Sequence, residues 1–96
     1  MKVLIVDAEG TTYEATPVAT AAEYLALRRL TGWDVLEAAC SMLSRALLAD
    51  HPDMTAERVA EKFRPDGLIA ALAALAASAI EPKRARYAVM PSRGKD

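Results

Sequence analysis

The chain has few of the residues from which enzyme sites are usually built. Its 96 residues include one cysteine, Cys40, and one histidine, His51, and neither asparagine nor glutamine occurs. A single cysteine excludes an internal disulfide, and metal ligation needs several suitable side chains in a defined geometry. Gly32 and Gly67 stand alone, so no glycine-rich phosphate loop is present. We therefore expect no enzyme activity, no catalytic residue, no cofactor and no metal.

Long hydrophobic runs are also missing. The longest, LIAALAALAASAI over residues 68–80, is shorter than the about 20 residues that a bilayer-spanning helix needs. The opening MKVLIVD has one lysine and only four apolar residues in a row, which is not typical of a secretory signal. These patterns predict a cytoplasmic protein with no membrane partner.

The formal net charge is only −1, which gives the whole chain no electrostatic attraction to nucleic acid. The charge is unevenly distributed, however. Residues 81–96 contain five basic and two acidic side chains, a net charge of +3, and residues 1–80 carry −4. With three proline and glycine residues and no clear period, residues 81–96 are predicted to form a flexible basic tail on a domain that spans residues 1–80.

Alanine is abundant, about a fifth of the chain, and it favours helix because it loses no side-chain entropy on folding. The exception is the start. VLIV, a turn at Gly10 and the alternating TTYEAT predict a β-hairpin over about residues 2–16, which Pro17 ends. Such a hairpin is marginal alone and should pack on helices.

Four helices are expected after the hairpin. Thr20 and Glu23 have the spacing of a capping box, and Gly32 is a natural stop for the first helix. Asp34 and Glu37 predict a second capping box at the start of the next helix. Apolar residues then recur with helical spacing along one stripe of that second helix: Leu36, Ala39, Cys40, Leu43, Ala46 and Leu47.

Pro52 should end the second helix, because it disfavours helical geometry at His51. Thr55 and Asp66 are then the expected caps of the third and fourth helices. The fold class is therefore predicted to be mainly α, a small four-helix domain with an N-terminal β-hairpin and a flexible C-terminal tail.

The two reactive residues have simple structural explanations. Asp50 and Asp53 flank His51, but two exposed carboxylates around a loop histidine are ordinary, and we expect a loop residue rather than a metal ligand or catalyst. Cys40 would need an adjacent base and exposure to act as a nucleophile. Its place on the apolar stripe indicates a small core residue.

The fourth helix and Trp33 each allow two interpretations. A helix that is apolar all round is usually buried on every side, and a small domain has few layers to cover it. Part of its surface either faces another molecule, a second copy included, or is alanine-rich surface that tolerates water. Trp33 similarly covers the helix junction or anchors an interface.

Two stretches of the sequence resemble the small tail assembly chaperones of long-tailed (siphovirus-type) bacteriophages. They are AEYLALRRLTGWDVLEA over residues 22–38 and ALLADHPDMTAERVAEKF over residues 46–63, and the similarity covers about residues 22–77. The second stretch contains the helix, the Pro-x-Met-Thr-x-Glu break and the short helix of that family. The upstream hairpin is also similar to several members.

This resemblance implies a non-enzymatic protein of the host cell cytoplasm that binds the tape measure protein and assists tail tube assembly. Such binding uses aliphatic and methionine-lined grooves. The candidate partner-binding residues are Trp33, Met42, Leu68, Leu72 and Leu75. The alternative is a small DNA-binding transcriptional or antitoxin-like regulator that dimerises through its apolar helix and uses the basic tail on DNA, although nucleic acid is the less favoured partner.

Overall fold

The computed structural model describes residues 2–80, and it places six elements in chain order. The strands are β1 (Val3–Val6) and β2 (Thr12–Ala15), and the helices are α1 (Ala21–Leu27), α2 (Trp33–Leu47), α3 (Ala56–Lys62) and α4 (Pro65–Ile80). The predicted fold class, four helices with an N-terminal hairpin, is thereby confirmed. The tail predicted over residues 81–96 lies outside the described residues.

The hairpin forms as the alternation predicts. β1 and β2 pair antiparallel, with Ile5 opposite Tyr13 on the face toward the helices and Leu4 opposite Glu14 on the other face. Ile5 and Tyr13 are buried, whereas Leu4 is exposed, because successive side chains of a strand point to opposite faces.

Asp7 organises the turn between the two strands. Its Oδ1 accepts hydrogen bonds from the backbone N–H groups of Glu9 and Thr11, both at 2.9 Å, and its Oδ2 accepts one from the Tyr13 hydroxyl at 2.7 Å. Gly10 completes the turn at a φ of 90°, which favours glycine because a Cβ atom is disfavoured there. The turn therefore fixes the strand register that buries the apolar face.

α1 begins with the predicted capping box, in which the Thr20 hydroxyl accepts from the Glu23 N–H and the Glu23 carboxylate accepts from the Thr20 N–H. The helix ends earlier than predicted, with Arg28 as its C-cap. Gly32 instead precedes α2, at φ 59° and ψ −130°. Its backbone leads into α2 rather than stopping α1.

The capping box predicted at Asp34 and Glu37 is wrong. α2 begins at Trp33, so Asp34 already lies inside the first helical turn, and Gly32 precedes the helix without a side-chain cap. The glycine backbone lets the helix start two residues earlier than a cap at Asp34 would allow. Asp34 still stabilises this end because a carboxylate interacts favourably with the positive end of the helix dipole.

α3 and α4 follow a break at His51 and Pro52, as predicted. Thr55 caps α3 by accepting a hydrogen bond from the Arg58 N–H at 3.3 Å. The predicted cap at Asp66 is wrong, because α4 already starts at Pro65. Proline is favoured at the first helical position, where its missing N–H costs nothing and its φ is already helical.

One hydrophobic core joins the hairpin to α2, α3 and α4. Helix α2 passes through its centre and contacts all three of these elements. The predicted stripe of α2 supplies Ala39, Leu43, Ala46 and Leu47 as buried residues, while Leu36 and Cys40 are half-buried at its margin. The buried apolar residues are Ile5, Tyr13, Ala15, Ala39, Met42, Leu43, Ala46, Leu47, Met54, Val59, Phe63, Leu68, Ala71, Leu72 and Leu75.

Candidate interaction surfaces

The five residues predicted to bind a partner occupy very different places. Trp33 lies at the surface with 85% of its area exposed. Met42, Leu68, Leu72 and Leu75 are core residues with 7%, 2%, 4% and 1% exposed. A partner would reach these four only if the core opened, so Trp33 is the one that the folded chain presents.

α4 buries one face and exposes another. Leu68, Leu72 and Leu75 pack inward, whereas Ile69 is 45% exposed and Ala73 is also at the surface. The helix therefore exposes part of its apolar surface, which is the surface expected either to face another molecule or to tolerate water as an alanine-rich face. No charged residue occurs between 67 and 80, so its outer face is uncharged.

A second surface feature is an open groove between α2 and α3, which we call the α2–α3 groove. Its volume is about 480 Å³. The residues that line it come from both helices: Leu36, Glu37, Cys40, Ser41, Ala56, Glu57 and Ala60. Leu36, Cys40 and Ala56 are its half-buried members, and the remaining ones are exposed.

Local sequence explains why a groove forms here. Val59 and Phe63 turn the apolar face of α3 into the core, which leaves Ala56 and Ala60 beside α2. Their small side chains do not fill the space between the helices. The Ser44 hydroxyl donates a 2.7 Å hydrogen bond to the Met54 carbonyl inside the core and fixes the start of α3 against α2.

The groove is acidic at its rim and apolar below. Glu37 on α2 and Glu57 on α3 are both exposed. Burial raises the pKa of the Cys40 thiol, so this cysteine stays protonated and behaves as a small apolar residue. Trp33 lies one helical turn before Leu36 and Glu37 on the same side of α2, and it extends the apolar surface beyond the groove.

The polar cluster around Tyr13 has a structural role. Burial of the Tyr13 side chain, together with its hydrogen bond to Asp7, raises the pKa of Tyr13 to about 12. Burial alone would raise the pKa of Asp7, but the hydrogen bonds that its carboxylate accepts hold that pKa below the usual value. Each carboxylate oxygen of Asp7 is occupied by the turn or by Tyr13, which leaves no oxygen poised for chemistry.

His51 also serves the fold. Its Nε2 accepts a hydrogen bond from the Glu14 N–H at 3.2 Å. Over residues 2–80, no group of three or more His, Cys, Asp or Glu side chains is arranged to hold a metal ion. Within the same part of the chain, none of the helices is long and apolar enough to cross a membrane.

No protein-family model, curated protein or solved structure matches the chain. The exposed Trp33, the α2–α3 groove and the uncharged outer face of α4 are therefore the features from which function has to be inferred.

Sequence patterns alone did not identify the groove. Ala56 and Ala60 are spaced to share a side of α3, but the same spacing of small residues also occurs where helices pack closely, so it does not predict a groove. Glu57 is exposed on α3. That it faces Glu37 across a groove depends on how α2 and α3 pack.

Proposed function

We propose that this protein is a tail assembly chaperone of a long-tailed bacteriophage, which binds the tape measure protein in the host cytoplasm and assists assembly of the tail tube. The observation that supports this proposal best is the α2–α3 groove, with the exposed Trp33 one turn beyond it. The resemblance of residues 22–77 to this family supplies the identity of the partners.

The groove favours a helical segment as its ligand. Its apolar members Leu36, Cys40 and Ala56 can contact the small or aliphatic side chains of an amphipathic helix laid along it. Glu37 and Glu57 on the two sides favour lysine or arginine beside that apolar stripe. Trp33 then provides a large apolar anchor at one end, a residue type that often dominates binding energy.

Such a surface suits a long helical partner that exposes apolar stripes before assembly. A single groove of this size binds weakly, but many copies along one filament would cover repeated segments and keep the filament soluble. Release remains easy because each contact is weak. This combination of coverage and reversibility is what an assembly chaperone requires.

The proposal is tested by co-expression with the tape measure protein, with the soluble fraction of that protein as the measurement. We expect the intact chain to raise the soluble fraction several-fold. Trp33→Ala and the double variant Glu37→Lys, Glu57→Lys should abolish most of this increase. Leu25→Ala and Glu61→Lys are the matched controls, since Leu25 is an exposed apolar residue on α1 and Glu61 lies on α3 outside the groove lining.

An equal soluble fraction with and without the intact chain would contradict the proposal. Equal losses for the groove variants and their controls would place the binding surface elsewhere. The regulator alternative is examined in parallel by titrating the full chain onto duplex DNA at low salt. Residues 2–80 carry seven basic and eleven acidic side chains, so this part of the chain repels phosphates overall, and we expect no binding through it.

A further inference from the structure

Within the part of the chain that the structure describes, one edge of the hairpin is left open. The Asp7 N–H donates to the Thr11 carbonyl, so alternate residues of β1 bond to β2 and the residues between them direct their backbone groups outward. On β2 the outward N–H groups of Glu14 and Thr16 are bonded to His51 and to the Ala46 carbonyl. The edge of β2 is therefore covered by the end of α2 and the loop after it.

Among the described residues, the outward groups of β1 are bonded only at the end of the strand. The Ala8 N–H, just past the strand, donates to the Lys62 carbonyl at 2.9 Å. Within residues 2–80, no backbone group pairs with the outward N–H and C=O groups of Leu4 and Val6. The free edge therefore offers the backbone groups of two residues, Leu4 and Val6, for hydrogen bonding, and Ile5 lies between them.

This edge borders a small groove against α4. The groove has a volume of about 220 Å³, and β1 lines one side of it. The other side is a stripe of α4 with very small side chains, formed by Gly67, Ala70 and Ala74. Leu4 and Val6 beside it are 67% and 55% exposed. An unpaired strand edge with exposed apolar side chains is a template for pairing with another strand.

We propose that a second copy of this chain occupies this surface, with the β1 strands of the two copies paired antiparallel about a two-fold axis at Ile5. Leu4 of each copy then lies opposite Val6 of the other, and the two hairpins form one four-stranded antiparallel sheet. The outer faces of the two α4 helices meet beneath the sheet through Ala70 and Ala74. This inference does not depend on the proposed chaperone function.

A second copy fits this edge better than an unrelated peptide. A two-fold axis makes the same strand antiparallel to itself, and pairing Leu4 with Val6 uses all the free backbone groups of both edges. The bond from Ala8 to Lys62 stops a longer strand from continuing along β1. From residue 67 to residue 80 α4 has no charged side chain, so two copies of its outer face meet without repulsion.

This arrangement requires the two α4 helices to approach closely. Neighbouring strands lie about 4.8 Å apart and packed helices about 8–10 Å apart, with the shorter helix distances reached where side chains are small. The alanine stripe of α4 allows the close approach that a shared sheet imposes. Larger side chains at Ala70 or Ala74 would hold the helices, and with them the strands, apart.

The size of the surface sets the expected affinity. Its exposed residues are Leu4, Val6, Ile69, Ala70, Ala73, Ala74 and Ala77. Stable interfaces use about 20–30 residues a side, so this smaller surface predicts a reversible dimer that dissociates in the micromolar range or above.

Sedimentation of the full chain over a wide range of concentrations tests the proposal. We expect a monomer at about 1 µM and a dimer at several hundred µM. Val6→Lys should weaken dimerisation at least tenfold, because a lysine on an edge strand blocks pairing. Thr12→Lys is the matched control, since Thr12 lies opposite Val6 on the same exposed face but on β2. Ala74→Glu should weaken the dimer as Val6→Lys does.

Amide hydrogen exchange provides the second readout. The N–H groups of Leu4 and Val6 should gain protection as the concentration rises, while Val6→Lys should remain folded and lose that gain. A monomer at every concentration would overturn the proposal, as would equal weakening by Thr12→Lys. Protection that is already complete in the monomer would also overturn it, because another part of the same chain would then cover the edge.

These results are distinguishable from a failure of the chaperone proposal. Val6→Lys leaves Trp33 and the α2–α3 groove unchanged, so it should still solubilise the tape measure protein. Trp33→Ala should lose solubilisation and still dimerise.

Discussion

The Nε2 atom of His51 accepts a hydrogen bond from the backbone N–H of Glu14 at 3.2 Å. The same imidazole meets the Tyr13 ring edge-on, with the ring centroids 5.2 Å apart. The only histidine of the chain thus joins the break after α2 to the outer edge of β2. His51 is the residue that the sequence first suggests as a catalyst or metal ligand, and in the structure it contacts the edge of β2.

We expect His51→Ala to lower the free energy of unfolding by about 1–2 kcal/mol, because it removes one hydrogen-bond acceptor and one aromatic contact. Urea unfolding followed by circular dichroism measures the change. Ala49→Ser, an exposed substitution in the same turn region, is the control and should be neutral. If the two variants were equally stable, the two contacts of His51 would contribute nothing to the free energy of unfolding.

Ser44 should be the most sensitive polar side chain of α2. Its hydroxyl is buried and donates to the Met54 carbonyl, so Ser44→Ala leaves a buried carbonyl without a partner and should cost about 1–3 kcal/mol. Ser41→Ala on the exposed side of the same helix should change stability by less than about 0.5 kcal/mol. A similar midpoint of chemical unfolding for both variants would refute this role of Ser44.

Gly32 and Gly67 should respond oppositely to alanine. A Cβ added at either glycine meets no atom within 4 Å, so backbone conformation alone decides the outcome. Gly32 has a φ of 59°, and Gly32→Ala should destabilise by about 1–2 kcal/mol. Gly67 lies in α4, and Gly67→Ala should stabilise by about 0.5–1 kcal/mol. Thermal unfolding at low protein concentration, where a dimer does not contribute, measures both.

Alkaline pH should weaken the fold through Tyr13. Because its pKa is raised to about 12 from an ordinary value of 10.0, the folded state stabilises the neutral phenol. This contribution to the free energy of unfolding is complete below pH 10. It is lost as the pH rises toward 12, because Tyr13 ionises at a lower pH in the unfolded chain than in the folded one. Tyrosine absorbance should therefore show a late-titrating group, and Tyr13→Phe should remove it.

The outcome would differ if Tyr13 ionised in the folded state at its ordinary pKa. The variant and the parent chain would then lose stability in parallel between pH 10 and pH 12. Burial also raises the pKa of Tyr24, so the assignment to Tyr13 rests on the variant rather than on the shape of the titration alone.

Local rules predicted much of this fold. The alternation of TTYEAT puts Tyr13 and Ala15 on the same face of the strand, which the structure shows to be the buried one, and the caps at Thr20 and Thr55 form as their side chains require. The errors at Asp34 and Asp66 have a common cause. In both places a residue with a special backbone preference, Gly32 or Pro65, starts the helix before the acidic residue that the capping rule selects.

The interaction surface was harder to predict for a physical reason. In α4 leucines and alanines surround the helix, so no hydrophobic periodicity distinguishes the inner face from the outer one. Leu68, Leu72 and Leu75 are buried only because α4 packs with this side against the core, which is a property of the tertiary structure. Trp33 was proposed either as a cover of the helix junction or as an interface anchor, because tryptophan often anchors interfaces.

The bonds that hold the hairpin have a consequence for biosynthesis. Glu14 depends on His51, Thr16 on Ala46, and Ala8 on Lys62, and each acceptor is translated well after its donor. The two strands are therefore synthesised before any of the residues that hold them. Their apolar face packs on α2 and α4, so it stays uncovered until α4 has been synthesised, and the nascent chain is most open to mispairing before that moment.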